Sequence, residues 1–320
     1  MIVVLDAYTL CLERRDLLEQ ILCPYGQVKI YDRTQPDQIL ERAADAEYVF
    51  TNKVVIDAST MAALPRLRFV GVLATGYNII DIEAARARGI VVANVPAYST
   101  ESVAQMVFAH LLNITQRVGH YADEVRRGAW NGQPDFSYRN TRLIELWGKT
   151  IGLVGFGNTG QATARIALGF GMKVNVFTSK AQEQLPQGVT KATLEEVFSG
   201  SDVVSLHCPL TRENTRMVNR ALLATMKPGA IFINTARGGL VDDEALAEAL
   251  RSGRLLAAGL DVLTAEPPAA AHPLVGLENC FITPHIAWAT EEAIARLVAI
   301  TADNLQSAAA GCPLHNVAAQ

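Results

Sequence analysis

The sequence has no uninterrupted apolar run of the about 20 residues a transmembrane helix needs. It has no long basic run either. A net charge of −4 and a pI near 5.9 leave no electrostatic footprint for nucleic acid. The N-terminus, Met1-Ile2-Val3-Val4-Leu5-Asp6, lacks a charged leader region and meets an acid after four apolar residues, so it is expected to be a first strand and not a signal peptide. The five cysteines, Cys11, Cys23, Cys208, Cys280 and Cys312, are odd in number, scattered, and form no Cys-x-x-Cys pair. That usage suits a reducing cytosol and supplies neither a disulfide framework nor a zinc site. The expectations are a cytoplasmic protein with no metal, no nucleic-acid partner and no membrane partner. No internal repeat is evident.

What is present is an alternation of short apolar runs with helical patterns. With 50% hydrophobic residues in 320, there is material for sizeable cores in one to three domains. Strands are expected at residues 2–5, 28–31, 48–51, 69–73 and 91–94, with helices between them, for example at 12–22, 61–64 and 81–88. Asp81 would cap the last of these and Gly89 stop it. Pro96, Ser99, Thr100 and Glu101 mark a boundary. A long helix follows through Val103, Met106, Val107, His110, Leu111 and Ile114. His110 and His120 are expected on that helix or at its end, as packing or surface residues. The polar, aromatic stretch 128–142, with Trp130, Phe136 and Tyr138, is expected either to contact a second copy or to pack on itself. Further strands are expected at 203–206, 230–234, 258–262 and 281–283, and helices at 194–199, 221–226, 243–252 and 291–309. Strands alternating with helices imply an α/β fold on parallel sheets.

The most informative stretch is Thr150 to Gly171. Ile151 to Val154 suits a buried parallel strand. Gly155, Gly157 and Gly160 then fit Gly-x-Gly-x-x-Gly, with Phe156, Asn158 and Thr159 between them, and Ala162, Ile166, Ala167 and Phe170 continue at helical spacing. Strand, glycine turn, helix and a second strand at 173–177 are the context in which this motif holds a dinucleotide pyrophosphate on a helix N-terminus. The second strand departs from the usual pattern. An acid about 20 residues on normally bonds the adenosine ribose. Here Thr178, Ser179 and Lys180 follow the strand. Without an acid nothing repels a 2′-phosphate, so NAD(H) and NADP(H) both remain open.

Four strand ends in the second half carry titratable residues: His207-Cys208-Pro209, Asn234-Thr235-Ala236-Arg237-Gly238, Asp261 with Glu266-Pro267 beyond it, and Pro284-His285. In an open α/β sheet such carboxyl ends face one crevice. With Gly155-x-Gly157-x-x-Gly160, His207-Cys208-Pro209-Leu210, Gly259-Leu260-Asp261-Val262 and the rest in order, nearly the whole chain resembles the D-isomer-specific 2-hydroxyacid dehydrogenases.

The resemblance implies two doubly wound parallel-sheet domains. A flavodoxin-like substrate domain from residues 1–98 and 286–320 would enclose a Rossmann NAD(P) domain of residues 99–285. It implies that Arg237, Glu266 and His285 are the catalytic set. Cofactor contacts would come from Thr100, the 155–160 turn, Thr178 to Lys180, His207, Cys208, Pro209, Thr215, Thr235, Ala236, Arg237, Asp261, His285 and Ala287. His207 would stand beside the cofactor without being a second base, and Asp261 would lie near the nicotinamide amide or simply cap a turn. Ala74, Thr75 and Gly76, in a glycine turn whose backbone amides could hold a carboxylate, would bind substrate with Arg237, His285 and Trp288. The chemistry fits these types. A permanently charged guanidinium fork can grip a carboxylate and polarise the adjacent carbonyl. An imidazole can give a proton to the new alkoxide. A carboxylate on its other nitrogen can orient it and keep it protonated.

The expected reaction is hydride transfer between a nicotinamide and a small 2-oxo acid. Hydroxypyruvate or glyoxylate is favoured over pyruvate and 3-phosphoglycerate, in a homodimer. A non-catalytic dinucleotide sensor of the corepressor kind, and a formate or phosphite dehydrogenase on the same scaffold, are the alternatives.

Overall fold

A computed structural model describes residues 1–10 and 15–319. Cys11 and residues 12–14, the head of the helix expected at 12–22, lie outside the described residues. The chain divides into two compact units, Met1–Ser99 with Ala289–Gln320, and Thr100–Trp288.

The first unit is built on β1 (Ile2–Val4), β2 (Val28–Ile30), β3 (Tyr48–Thr51), β4 (Phe69–Val72) and β5 (Val91–Ala93). All pair in parallel in the order β2-β1-β3-β4-β5. The helices are α1 (Arg15–Leu22), α2 (Ile39–Ala43), α3 (Ala58–Ala63) and α4 (Ile82–Ala87). Val3, Val49, Val70 and Val92 gather on one side of the strands with Met61 and Ala85 from the helices. Continuous apolar strands of this kind require cover on both faces. The long C-terminal helix α11 (Glu291–Ala309), capped by Thr290, packs on α1 and β4. It is tied there by Asn304 Nδ2, which donates to the Asn94 carbonyl. Asp57 and Asp81 cap α3 and α4 by accepting from the Thr60 and Ala84 amides. The helix expected at 61–64 therefore begins three residues earlier, because Asp57 supplies the N-terminal acceptor. The short α2 went unforeseen.

The second unit carries α5 (Thr100–Gln116), α6 (Val118–Arg126), β6 (Thr150–Val154), α7 (Asn158–Gly169), β7 (Lys173–Phe177), β8 (Val189–Lys191), α8 (Leu194–Gly200), β9 (Val203–Leu206), α9 (Arg220–Thr225), β10 (Ala230–Asn234), α10 (Asp243–Arg251), β11 (Leu255–Leu260) and β12 (Cys280–Ile282). Its sheet is wholly parallel, in the order β12-β11-β10-β9-β6-β7-β8. Along β10, Ile231 and Ile233 face one way and Phe232 the other. The first pair joins a core with Val107 and Leu111 of α5 and Ala164 of α7. Phe232 joins one with Val197, Leu223 and Leu246 of α8, α9 and α10. Both faces are thus covered, and all the carboxyl ends point to one edge.

Two expectations need correction, and one strand was not foreseen. His120 is not on the long helix: Arg117 adopts a left-handed conformation (φ 54°), ends that helix, and starts α6, which carries His120. The strand placed at 258–262 runs instead from Leu255 to Leu260, since Gly253 stops α10 and pairing with β10 starts at once. The edge strand β8 was missed, being only three residues long. The aromatic stretch 128–142 bonds back onto α6: Tyr138 Oη and Asn140 Nδ2 donate to the Glu124 carboxylate, and Tyr121 Oη pairs with Thr141. Trp130 and Phe136 stay exposed.

Candidate active site

The glycine turn forms as the sequence predicts. Gly155 sits at φ 102°, a region open to glycine. A Cβ on Gly160 would come within 2.4 Å of the Gly155 carbonyl, so only glycine lets α7 approach the strand this closely. Gly157 is the N-cap of α7, and a Cβ there would meet nothing within 4 Å, which leaves the space in front of the helix clear. The amides of the first helical turn have no intrahelical partner and carry the positive end of the helix dipole, a site for a pyrophosphate.

Three neighbouring strand ends carry the candidate residues Arg237, Glu266 and His285. His285 Nδ1 lies 2.6 Å from Glu266 Oε2. Glu266 Oε1 accepts from the Leu263 amide at 3.0 Å, which fixes the carboxylate plane. The Arg237 turn is pressed against the same segment: a Cβ on Gly238 would fall 1.9 Å from the Leu263 carbonyl carbon, so backbone meets backbone there. Asn234 shapes that turn, donating from Nδ2 to the Arg237 carbonyl and accepting from the Ala236 amide. Arg237 itself is exposed, with one guanidinium nitrogen on its own Ala236 carbonyl. Among the described residues it makes no ion pair. An always-charged fork that the fold does not use is available to a ligand.

His285 has φ 54°, which costs a non-glycine residue about 1–2 kcal/mol. The conformation is held by Asp261, which is 1% exposed. Its Oδ1 accepts from the Ile286 amide and the Thr283 hydroxyl, its Oδ2 from the Ala287 amide, and its carbonyl from the His285 amide. Asp261 therefore does cap this turn. Trp288 Nε1 donates to the His285 carbonyl. With Nδ1–H committed to Glu266, Nε2 is the nitrogen left to exchange a proton.

The remaining expected contacts fall as follows. Thr235 Oγ1 is buried and has no hydrogen-bond partner among the described residues, an orphan that a ligand beside β10 would satisfy. Phe156 is buried under the glycine turn, and Lys180 Nζ lies 5.6 Å over its ring. Thr178 Oγ1 accepts from the Lys180 amide, and Lys191 Nζ donates to the Lys180 carbonyl. Lys191, on the unforeseen β8, brings a second cation to the end of β7. Burial pushes the Cys208 thiol up. Thr215 Oγ1 donates to the Thr211 carbonyl. Thr100 opens α5. In the first unit, the 74–78 turn is pinned by Thr75 Oγ1 on the Val95 carbonyl and Asn94 Nδ2 on the Thr75 carbonyl.

His207 pairs Nε2 with Ser205 Oγ at 3.0 Å, and burial lowers its pKa to about 4. It is neutral through the physiological range, which suits a wall residue and not a base. The shift also has a stability consequence. The folded state takes up this proton less readily than the unfolded chain, so the stabilisation is complete above the unfolded pKa of about 6.5 and is lost as pH falls through the folded value. The whole shift would amount to about 2 kcal/mol by pH 5, and solvent screening of the half-buried ring makes the loss smaller than that. Melts of the native chain and His207→Asn are expected to show their stability difference shrinking by up to that amount between about pH 7 and pH 5. A pH-independent difference would contradict the assignment.

A glycine turn on a helix N-terminus, an orphaned hydroxyl at a strand end on the same edge of the sheet, and an Arg, Glu and His at adjoining strand ends fit a dinucleotide-dependent oxidoreductase. Comparison with known proteins makes this specific. Residues 108–287 match the D-isomer specific 2-hydroxyacid dehydrogenase NAD binding domain. The chain is 43% identical over 320 residues to a hydroxypyruvate reductase of Blautia hydrogenotrophica, covering 99% of each. It is 38% identical over 296 residues to a glycerate dehydrogenase of Methylorubrum extorquens, covering 92% of each. Among solved structures, a protein of Thermus thermophilus superposes with a TM-score of 0.88 at 37% identity, over 99% of both chains. This chain belongs to the D-isomer-specific 2-hydroxyacid dehydrogenase family and is an NAD(P)-dependent oxidoreductase acting on 2-hydroxy acids.

Proposed function

We propose that the protein reduces hydroxypyruvate to D-glycerate, or glyoxylate to glycolate, with Arg237 binding substrate and His285, oriented by Glu266, as the proton donor. The carrying observation is the 2.6 Å Glu266–His285 bond, with Glu266 in the same segment as the Leu263 carbonyl that buttresses the Arg237 turn. The identity to a hydroxypyruvate reductase supports the substrate class. The nicotinamide, when bound, supplies the hydride. Arg237 holds the carboxylate and stabilises negative charge growing on the carbonyl oxygen. His285 Nε2 protonates that oxygen while Glu266 holds the ring and balances its charge. The central unit is assigned to the coenzyme, and the unit from both chain ends, with Ala74, Thr75 and Gly76, to the substrate carboxylate.

NADPH is proposed to serve at least as well as NADH, since Thr178 replaces the usual acid and Lys180 and Lys191 stand nearby. A panel of hydroxypyruvate, glyoxylate, pyruvate, formate and phosphite with both coenzymes tests the reading. Turnover is expected to be highest with hydroxypyruvate or glyoxylate. Coenzyme binding without turnover would favour a sensor, and formate or phosphite oxidation the other alternative. In the same panel, Thr178→Asp is expected to lower kcat/KM for NADPH about tenfold or more through repulsion of the 2′-phosphate, sparing NADH. Unchanged NADPH kinetics would remove Thr178 as selector.

The exposed Trp130 and Phe136, with Val118 and Val125 on α6, support a homodimer through this face. Sedimentation would then read about twice the 34.6 kDa chain mass, and a monomer would refute it. Free Cys23, Cys208, Cys280 and Cys312 support a cytoplasmic location. Recovery in an extracytoplasmic fraction would refute that.

A further inference from the structure

A buried polar chain lies behind the loop that carries His285. His110 projects from α5 at 4% exposure, where bare Gly259 makes room: a Cβ on that glycine would sit 2.6 Å from the His110 Cβ. His110 Nε2 lies 3.1 Å from Thr283 Oγ1, and Thr283 Oγ1 lies 2.6 Å from Asp261 Oδ1.

Proton accounting gives the chain a direction. The carboxylate can only accept, so the single hydroxyl proton of Thr283 goes to Asp261. The hydroxyl oxygen must then accept from the imidazole, which fixes a proton on His110 Nε2. Asp261 in turn holds the Ile286 and Ala287 amides and, through its carbonyl, the His285 amide. The chain ends on the one residue of this loop held at φ 54°. Its other end is anchored in a long helix packed on β10 and β11.

We propose that His110 and Thr283 are positioning residues. His110 donates to Thr283, Thr283 donates to Asp261, and this line aims the Asp261 carboxylate so that the loop presents the His285 imidazole to substrate. The proposal rests on the reading of His285 as proton donor. Burial lowers the His110 pKa, with the Asp261 charge acting the other way. That is consistent with a neutral donor whose proton is set by its partner. Loss of the Thr283 donor leaves Asp261 Oδ1 with one bond in place of two and frees the carboxylate to rotate. The loop amides follow it, and small displacements of a reacting group are costly in rate.

The test uses four variants of the full chain, with kcat, KM and coenzyme Kd measured separately. Thr283→Val keeps the shape and removes the hydroxyl. It is expected to lower kcat about tenfold while KM and coenzyme Kd stay within about twofold. Thr283→Ser, which restores the hydroxyl, is expected to recover kcat to within about threefold of the native enzyme. His110→Leu is expected to lower kcat about fivefold, and His110→Gln, which keeps an N–H at similar reach, to retain most of it.

A native kcat in Thr283→Val and His110→Leu would overturn the proposal. So would equal losses in the serine and glutamine variants, which would mean packing alone. His285→Asn belongs in the same series. If it is inactive while Thr283→Val and His110→Leu are native-like, only the positioning line falls. If it keeps native kcat, the proton-donor reading falls, and this proposal with it.

Discussion

Arg237→Ala is expected to lower kcat/KM for a 2-oxo acid about 10³-fold, with coenzyme binding and melting temperature nearly unchanged. The magnitude follows from what is lost: a bidentate grip on the carboxylate and a charge beside the developing oxyanion. The selectivity follows from the structure. Arg237 is exposed, and among the described residues its one side-chain hydrogen bond goes to the adjacent Ala236 carbonyl. The turn that carries it is shaped by Asn234 and by the close packing of Gly238, not by the guanidinium. An exposed side chain whose bond goes only to a neighbouring carbonyl costs little stability when truncated. Steady-state kinetics and a thermal melt on the same preparation decide the matter. Activity within tenfold of native, or a large loss of stability, would show that Arg237 is not the substrate anchor.

His285→Asn is expected to lower kcat about 10³-fold in the reduction direction, with Glu266→Gln intermediate. Asparagine keeps the size of the group but cannot carry the proton. Glutamine can still bond Nδ1 but no longer balances an imidazolium. The ordering of the two variants separates a proton donor from a residue that only shapes the loop. If Glu266 matters solely as the acceptor of the Leu263 amide, both substitutions would act through stability, and kcat per folded enzyme would be preserved. Single-turnover reduction by each variant reads that quantity.

Much of this site was legible because its parts are local. The 155–160 turn needs glycine for reasons internal to six residues, and the strands on either side announce themselves as apolar runs. Asp81 as a cap and the span of α11 follow from equally local rules. Arg237, Glu266 and His285 were singled out through the family resemblance that the motifs carry. The parallel sheet then places their strands side by side, in the order β10, β11, β12. What stayed hidden depends on packing between distant segments. Nothing near His110 in sequence shows that Gly259 leaves room for it, or that Thr283 lies within a hydrogen bond, 173 residues away. The three-residue β8 is too short to carry a period, so Lys191 could not be placed beside Lys180. The break between α5 and α6 hangs on the left-handed Arg117, a residue with no propensity for that conformation.

The most direct test of the central claim is the product itself. Hydroxypyruvate is incubated with the native chain and NADPH or NADH, and the glycerate formed is resolved by chiral chromatography while coenzyme oxidation is followed. The expected result is D-glycerate, one molecule per coenzyme oxidised, formed about 10³-fold more slowly by His285→Asn. L-glycerate, or undiminished product from the variant, would contradict the account.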